Sequence, residues 1–106
     1  ETELFYKIKN HLSGFEVIHH GRPEWLGRQH FDIWIPDLKC AIEYQGKQHD
    51  QPIDFFGGEK AFKQNQRRDK QKKEKAIANN VTLIEVRQGY NIIEVINKIK
   101  TTANKT

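Results

Sequence analysis

Two carboxylates set inside apolar runs restrict what this chain can fold into more than any other feature. Asp32 interrupts the run FDIWIP, and Glu43 interrupts AIEYQGKQH, where His49 follows six residues later. An ionised side chain flanked by Phe31 and Ile33, or by Ile42 and Tyr44, sits badly in a packed sheet unless a cation or a donor meets it. The simplest cation is a metal ion.

Both runs read as strands, at residues 30–35 and 39–45. Pro36-Asp37-Leu38 between them is short enough for an antiparallel hairpin. Period-two alternation places Ala41, Glu43 and Gln45 on one face of the second strand and Cys40, Ile42 and Tyr44 on the other. Asp32 lies near Glu43 if the register allows it, giving two carboxylates that a hard divalent ion could bridge. That donor set suits Mg²⁺ better than Zn²⁺, because a single cysteine cannot make a thiolate site and the histidines lack zinc-finger spacing. The competing reading is that these acids are edge-strand charges that discourage aggregation.

The rest of the chain frames this pair. At 106 residues it is expected to be one domain that buries roughly two-thirds of its unfolded surface. The lone Cys40 excludes a disulfide framework and suits a reducing compartment. No apolar stretch approaches the roughly 20 residues of a membrane span, and the acidic start is unlike a signal peptide. A net charge of +4 is compatible with a polyanionic partner without requiring one.

Leu4, Phe5, Ile8 and Leu12 form one stripe of a helix over residues 1–12, ended by Ser13-Gly14. A short strand is expected at 15–18 and a loop at 19–29, where Gly21, Pro23 and Gly27 fall. A second loop at 46–58 carries Pro52 and Phe55-Phe56 before Gly57-Gly58, the form of a lid or substrate-facing flap. A charged helix is expected at 59–79, a buried strand at 81–86, a helix at 91–100 and a frayed tail at 101–106. The order αβββαβα predicts an α/β (α+β) fold with a mixed β-sheet flanked by helices.

On the long helix, one face reads Phe62, Gln66, Asp69, Lys73, then Ala76 and Ile77. Docking through Phe62 and Ile77 would turn Gln66, Asp69 and Lys73 toward the sheet and require a polar pocket there. Arg67, Arg68, Lys70, Lys72 and Lys75 then lie around the rest of the helix. The alternative is a solvated charged helix with Asp69 paired to a neighbouring base.

Asp32, ten residues, Glu43-x-Gln45, then a helix and the strand at 81–86 resembles the PD-(D/E)XK nuclease superfamily, whose restriction-endonuclease-like core has the order αβββαβ. IEYQGKQH, PIDFFGGEKAF and RRDKQKKEK are similar, more narrowly, to the branch uniting very-short-patch-repair (Vsr-like) endonucleases with phage homing endonucleases of the EDxHD type. The resemblance covers nearly the whole chain. It implies a Mg²⁺-dependent endodeoxyribonuclease, with Mn²⁺ as a substitute, in a bacterial or phage-infected cytoplasm. Asp32 matches the metal-binding strand aspartate, Glu43 the second acidic position, and the main-chain carbonyl of Tyr44 the usual backbone ligand. Gln45 stands where the superfamily has a catalytic lysine, so His49 would take over proton transfer, aligned by Asp69. The leading glutamate is assigned to Glu1, which shares the face of Leu4 and Ile8 whereas Glu3 does not.

The partner implied is double-stranded DNA. Arg22, Arg28, Lys47, Arg67, Arg68 and Lys73 are the candidate phosphate contacts, each equally suited to be a solubilising charge. Trp25, Phe55 and Phe56 could wedge between bases or anchor their loops. His19-His20 could face DNA or merely end a strand. No recognition helix is visible, so strong sequence specificity would need a homodimer or a further DNA-binding domain, and the start inside a helix fits an excised catalytic domain. The alternatives are a mismatch- or structure-selective nicking enzyme of repair and a non-catalytic DNA-binding module in which Gln45 marks lost turnover.

Overall fold

Helical spacing of Leu4, Phe5 and Ile8 produces α1 at Thr2–His11, and these three side chains are buried. In this computed structural model, which describes residues 1–45 and 58–104, the remaining elements follow as β1 (Ile18–Gly21), β2 (Phe31–Ile35), β3 (Cys40–Gln45), α2 (Gly58–Ala78), β4 (Thr82–Arg87) and α3 (Ile92–Asn104). The sheet order is β1-β2-β3-β4: β1 and β2 are antiparallel, β2 and β3 are antiparallel, and β3 and β4 are parallel. The molecule is thus a small α+β domain with a four-stranded mixed sheet and three helices. No helix among the described residues is long and apolar enough to cross a membrane.

The hairpin turns through a 3₁₀ segment at Pro36–Leu38, and Lys39 exits it in the left-handed region at φ 48°. One face of the sheet carries Ile33, Ile35, Cys40, Ile42, Ile84 and Val86, which pack against α1 and against Val95, Ile96 and Ile99 of α3. The other face buries Ala41 with Phe31, Leu26, Val81 and Ala76 of α2. Burial pushes the Cys40 thiol up to about 12, so it behaves as a small core residue and not as a nucleophile.

Two boundaries differ from the sequence expectation. The first strand, expected at 15–18, shares only Ile18 with that range and runs on to Gly21, three residues into the expected loop. Gly21 pairs with Phe31, and a Cβ at Gly21 would come within 2.3 Å of the Trp34 Cβ, so a glycine that reads as a loop signal is here the residue that lets two strands close. Phe15, which looks like a strand former, is exposed. Residues 101–104 of the expected frayed tail continue α3 instead, with the Thr101 and Thr102 hydroxyls donating to the carbonyls of Asn97 and Lys98 one turn back; 105–106 lie outside the described residues.

Both long helical connections end as the sequence implies. Asn80 adopts φ 58°, and the amides of Val81 and Asn80 donate to the carbonyls of Ala76 and Ile77, a Schellman closure of α2. The Asn91 side chain accepts from the amides of Ile93 and Glu94 and caps α3.

Candidate functional site

β2 and β3 stay in register through Ile33 opposite Ile42, and one step further the two carboxylates face each other. There the side chains take over from the backbone. The amide of Asp32 donates to Glu43 Oε2 at 2.7 Å, and the amide of Tyr44 donates to Asp32 Oδ2 at 2.8 Å. Each acid thus accepts a bond from the opposite strand in place of a main-chain carbonyl, which lets the hairpin open at this point while its amides remain paired. Alternation breaks at the same place: Phe31 packs with Ala41 on the α2 face, whereas Ile33 belongs to the core on the other side.

Lys72 reaches this clasp from the opposite layer. Its Nζ lies 2.5 Å from Glu43 Oε1, and both side chains are nearly sequestered from water. Burial and the charge of Asp32 push the Glu43 carboxyl up to about 7, while the hydrogen bond and charge of Lys72 pull it down. Lys72 had been expected on the solvated side of the helix, so its position is a correction. The stripe of α2 that faces the sheet is Phe62, Asn65, Asp69, Lys72 and Ala76, each buried or half-buried. Gln66 and Ile77, expected on this face, are exposed, Ile77 at 74%. The helix is rotated because Ala76, fully buried, lets the backbone approach the sheet where the bulkier Ile77 would hold it away.

Asp69 keeps its expected side. With Glu43, Gln45, Lys72, Lys73, Leu83 and Glu85 it lines a narrow pocket between α2 and the sheet. Glu43 and Gln45 share that pocket, as alternation requires. Lys73, expected on the inward face, is half-exposed and pairs with Glu85 of β4 at 2.5 Å, a second ion pair between α2 and the sheet. Tyr44 turns its ring to the other face, edge-on to Tyr90.

Glu1 lies at the start of α1 and bonds to neither carboxylate. Its Oε1 is 2.6 Å from His20 Nε2 and 3.3 Å from His19 Nε2. Glu3 pairs with Lys7 on the exposed side of α1. His20 stacks edge-on to His30, whose imidazole is held below its ordinary range by burial and by the charges of Lys72 and His20, opposed by Asp32 and Glu1. Among the described residues, the His, Cys, Asp and Glu side chains that gather in a group of three are Glu1, His19 and His20. Asp32 and Glu43 fall outside that group, and their oxygens accept from the amides of Tyr44 and Asp32 and from the Lys72 ammonium.

A cleft of about 630 Å³ opens beside the clasp, lined by Arg28, Gln29, His30, Asn65, Arg68, Asp69, Lys72 and Lys75. Arg28 and Arg68, two of the expected phosphate contacts, thus come together with the inward lysine. Arg22 donates to the carbonyl of Arg28, and Arg67 is exposed on α2. Trp25 lies edge-on to Phe31 and Trp34 and packs against the buried cluster under α2, so it anchors its loop. Lys47, His49, Phe55 and Phe56 lie outside the described residues.

No protein-family model and no solved structure matches the chain. A stretch of 56 residues is 46% identical to "Uncharacterized protein 307L" of Invertebrate iridescent virus 6. That stretch amounts to 52% of this chain and 28% of the viral protein.

Proposed function

We propose that the chain is a metal-dependent endodeoxyribonuclease with a restriction-endonuclease-like core, of the kind found in homing endonucleases, that hydrolyses phosphodiester bonds in double-stranded DNA. The observation that carries this reading is the reciprocal clasp of Asp32 and Glu43, met by Lys72 from the facing helix. A sheet that only needs stability gains little from two acids and a lysine between its layers, since breaking such a buried pair costs more than an apolar replacement would.

Asp32, Glu43 and the carbonyl of Tyr44 would hold Mg²⁺ or Mn²⁺, which when bound supplies charge for the phosphate and lowers the pKa of a coordinated water. Lys72 provides the positive donor that Gln45 does not, and it is placed to stabilise charge building on phosphate oxygens. As a ligand of the metal ion Glu43 would be held ionised, so proton transfer would fall to another group. His49, by resemblance, would exchange that proton, with Asp69 as its orienting partner. Arg28 and Arg68 would hold the DNA backbone along the cleft.

Engagement of Glu43 by Lys72 also favours a second reading, a DNA-binding module without turnover, because a cation must displace an ammonium already in place. Incubating supercoiled plasmid with the protein and Mg²⁺, and separately with EDTA, divides the two. The nuclease reading expects cleavage with Mg²⁺ or Mn²⁺ and none with EDTA, abolished in Asp32→Ala and His49→Ala. Lys72→Met is expected to slow it by about 10²- to 10³-fold, the scale of losing one charge-stabilising donor. DNA binding without cleavage, or cleavage that survives Asp32→Ala, refutes it.

A further inference from the structure

Consecutive residues of a strand point to opposite faces, yet His19 and His20 bring their rings together, with centroids 3.9 Å apart. The backbone at His20 causes this. It lies at φ 57°, in the left-handed region that non-glycine residues seldom enter, and so turns the second ring back beside the first. Packing then fixes both rings. His19 lies flat on Phe5 at 4.7 Å and 14°, and His20 meets His30 edge-on at 5.1 Å.

Both Nε2 atoms converge on one carboxylate oxygen of Glu1, and the three ligand atoms all lie within 4.8 Å of one another. Ligands about 2.0 Å from a tetrahedral ion sit about 3.3 Å apart. The 3.3 Å between His19 and Glu1 matches that span, and the 2.6 Å between His20 and Glu1 is a hydrogen bond that would lengthen once the shared proton leaves. All three side chains remain open to solvent, leaving room for a fourth ligand.

We propose that Glu1, His19 and His20 form a binding site for a divalent transition-metal ion of the Zn²⁺ and Co²⁺ class, separate from the carboxylate clasp. Two imidazoles and one carboxylate favour such borderline ions, whereas Asp32 and Glu43 present only hard oxygen donors. The two sites adjoin, because His20 lies between His19 and Gly21, whose partners Ile33 and Phe31 flank Asp32 in the register of β1 on β2. The inference does not rest on the nuclease reading and stands or falls without it.

Co²⁺ titration of the full chain, followed by visible d–d absorption and by displacement with Zn²⁺, tests it. One Co²⁺ per chain is expected to bind with the strong visible bands of a four-coordinate nitrogen-containing site, and Zn²⁺ but not equimolar Mg²⁺ should bleach them. His20→Asn tolerates the left-handed backbone and removes a ligand; with Glu1→Gln, at an exposed helix start, it should weaken binding by at least about 10-fold. Asp32→Asn should leave the bands in place. Circular dichroism of each variant establishes that the fold persists, and if one variant unfolds the other decides. Absence of the bands in the unaltered chain, or bands lost in Asp32→Asn and kept in both ligand variants, overturns the proposal.

Discussion

Glu43 holds its proton to a higher pH than an exposed glutamate because burial and Asp32 together outweigh Lys72. Its carboxyl ordinarily titrates near 4.5 and here near 7. Between those values the folded chain keeps a proton that the unfolded chain has released. Stability therefore falls as pH rises through that window and levels off above it. A Glu43→Gln variant lacks this titration, so the difference between the two chains carries the pH dependence of Glu43. Thermal unfolding from pH 4 to pH 8 should show the variant gaining on the unaltered chain from about pH 4.5 to about pH 7, then running parallel to it. Melting temperatures that stay parallel throughout would mean that Glu43 is ionised in the fold well below neutrality.

At the level of elements, the clearest departure from sequence expectation is the rotation of α2 about its axis. Phe62, Asp69 and Ala76 satisfy both the expected and the observed stripes, but the choice between Lys72 and Lys73, or between Ala76 and Ile77 as the docking residue, depends on how closely the helix approaches the sheet. Hydropathy favours Ile77; close packing favours Ala76, and the structure follows packing. Ala76→Leu should destabilise the protein by about 1–3 kcal/mol through overpacking, and Ile77→Lys should stay within about 0.5 kcal/mol, both read from urea unfolding midpoints. Equal losses at the two positions would place the helix in the rotation that hydropathy prefers. The order of elements, the hairpin and the shared face of Glu43 and Gln45 were legible because they depend only on period-two and period-3.6 patterns. The ion pair from Lys72 to Glu43 was not, since α2 carries many lysines and only tertiary approach selects one. The run of β1 past Ile18 was missed for a related reason: His19-His20-Gly21 carries little strand propensity, and what makes it a strand is the fit of Gly21 against Trp34.

Over the whole molecule, the net charge of +4 matters less than where the cations lie. Arg28, Arg68, Lys72 and Lys75 line one cleft on the α2 side of the sheet, with Asp69 the acid among them. Lys100, by contrast, is exposed on α3, which packs against the opposite face. If DNA lies along the cleft, each phosphate contact releases counterions, and the logarithm of affinity falls with the logarithm of salt by about 0.9 per contact. Arg28→Ala and Arg68→Ala should each weaken binding to unrelated duplexes by similar factors and flatten the salt slope by about one unit, measured by fluorescence anisotropy between 50 and 200 mM salt. Lys100→Ala should leave the slope unchanged, because a charge on the far layer is separated from the cleft by the sheet and screened within about 10 Å at such salt. If all three variants shift the slope alike, binding depends on diffuse positive charge and the cleft has no special part in it. If only Arg28 and Arg68 do, the DNA runs beside the Asp32 and Glu43 clasp, where a scissile phosphate would have to sit.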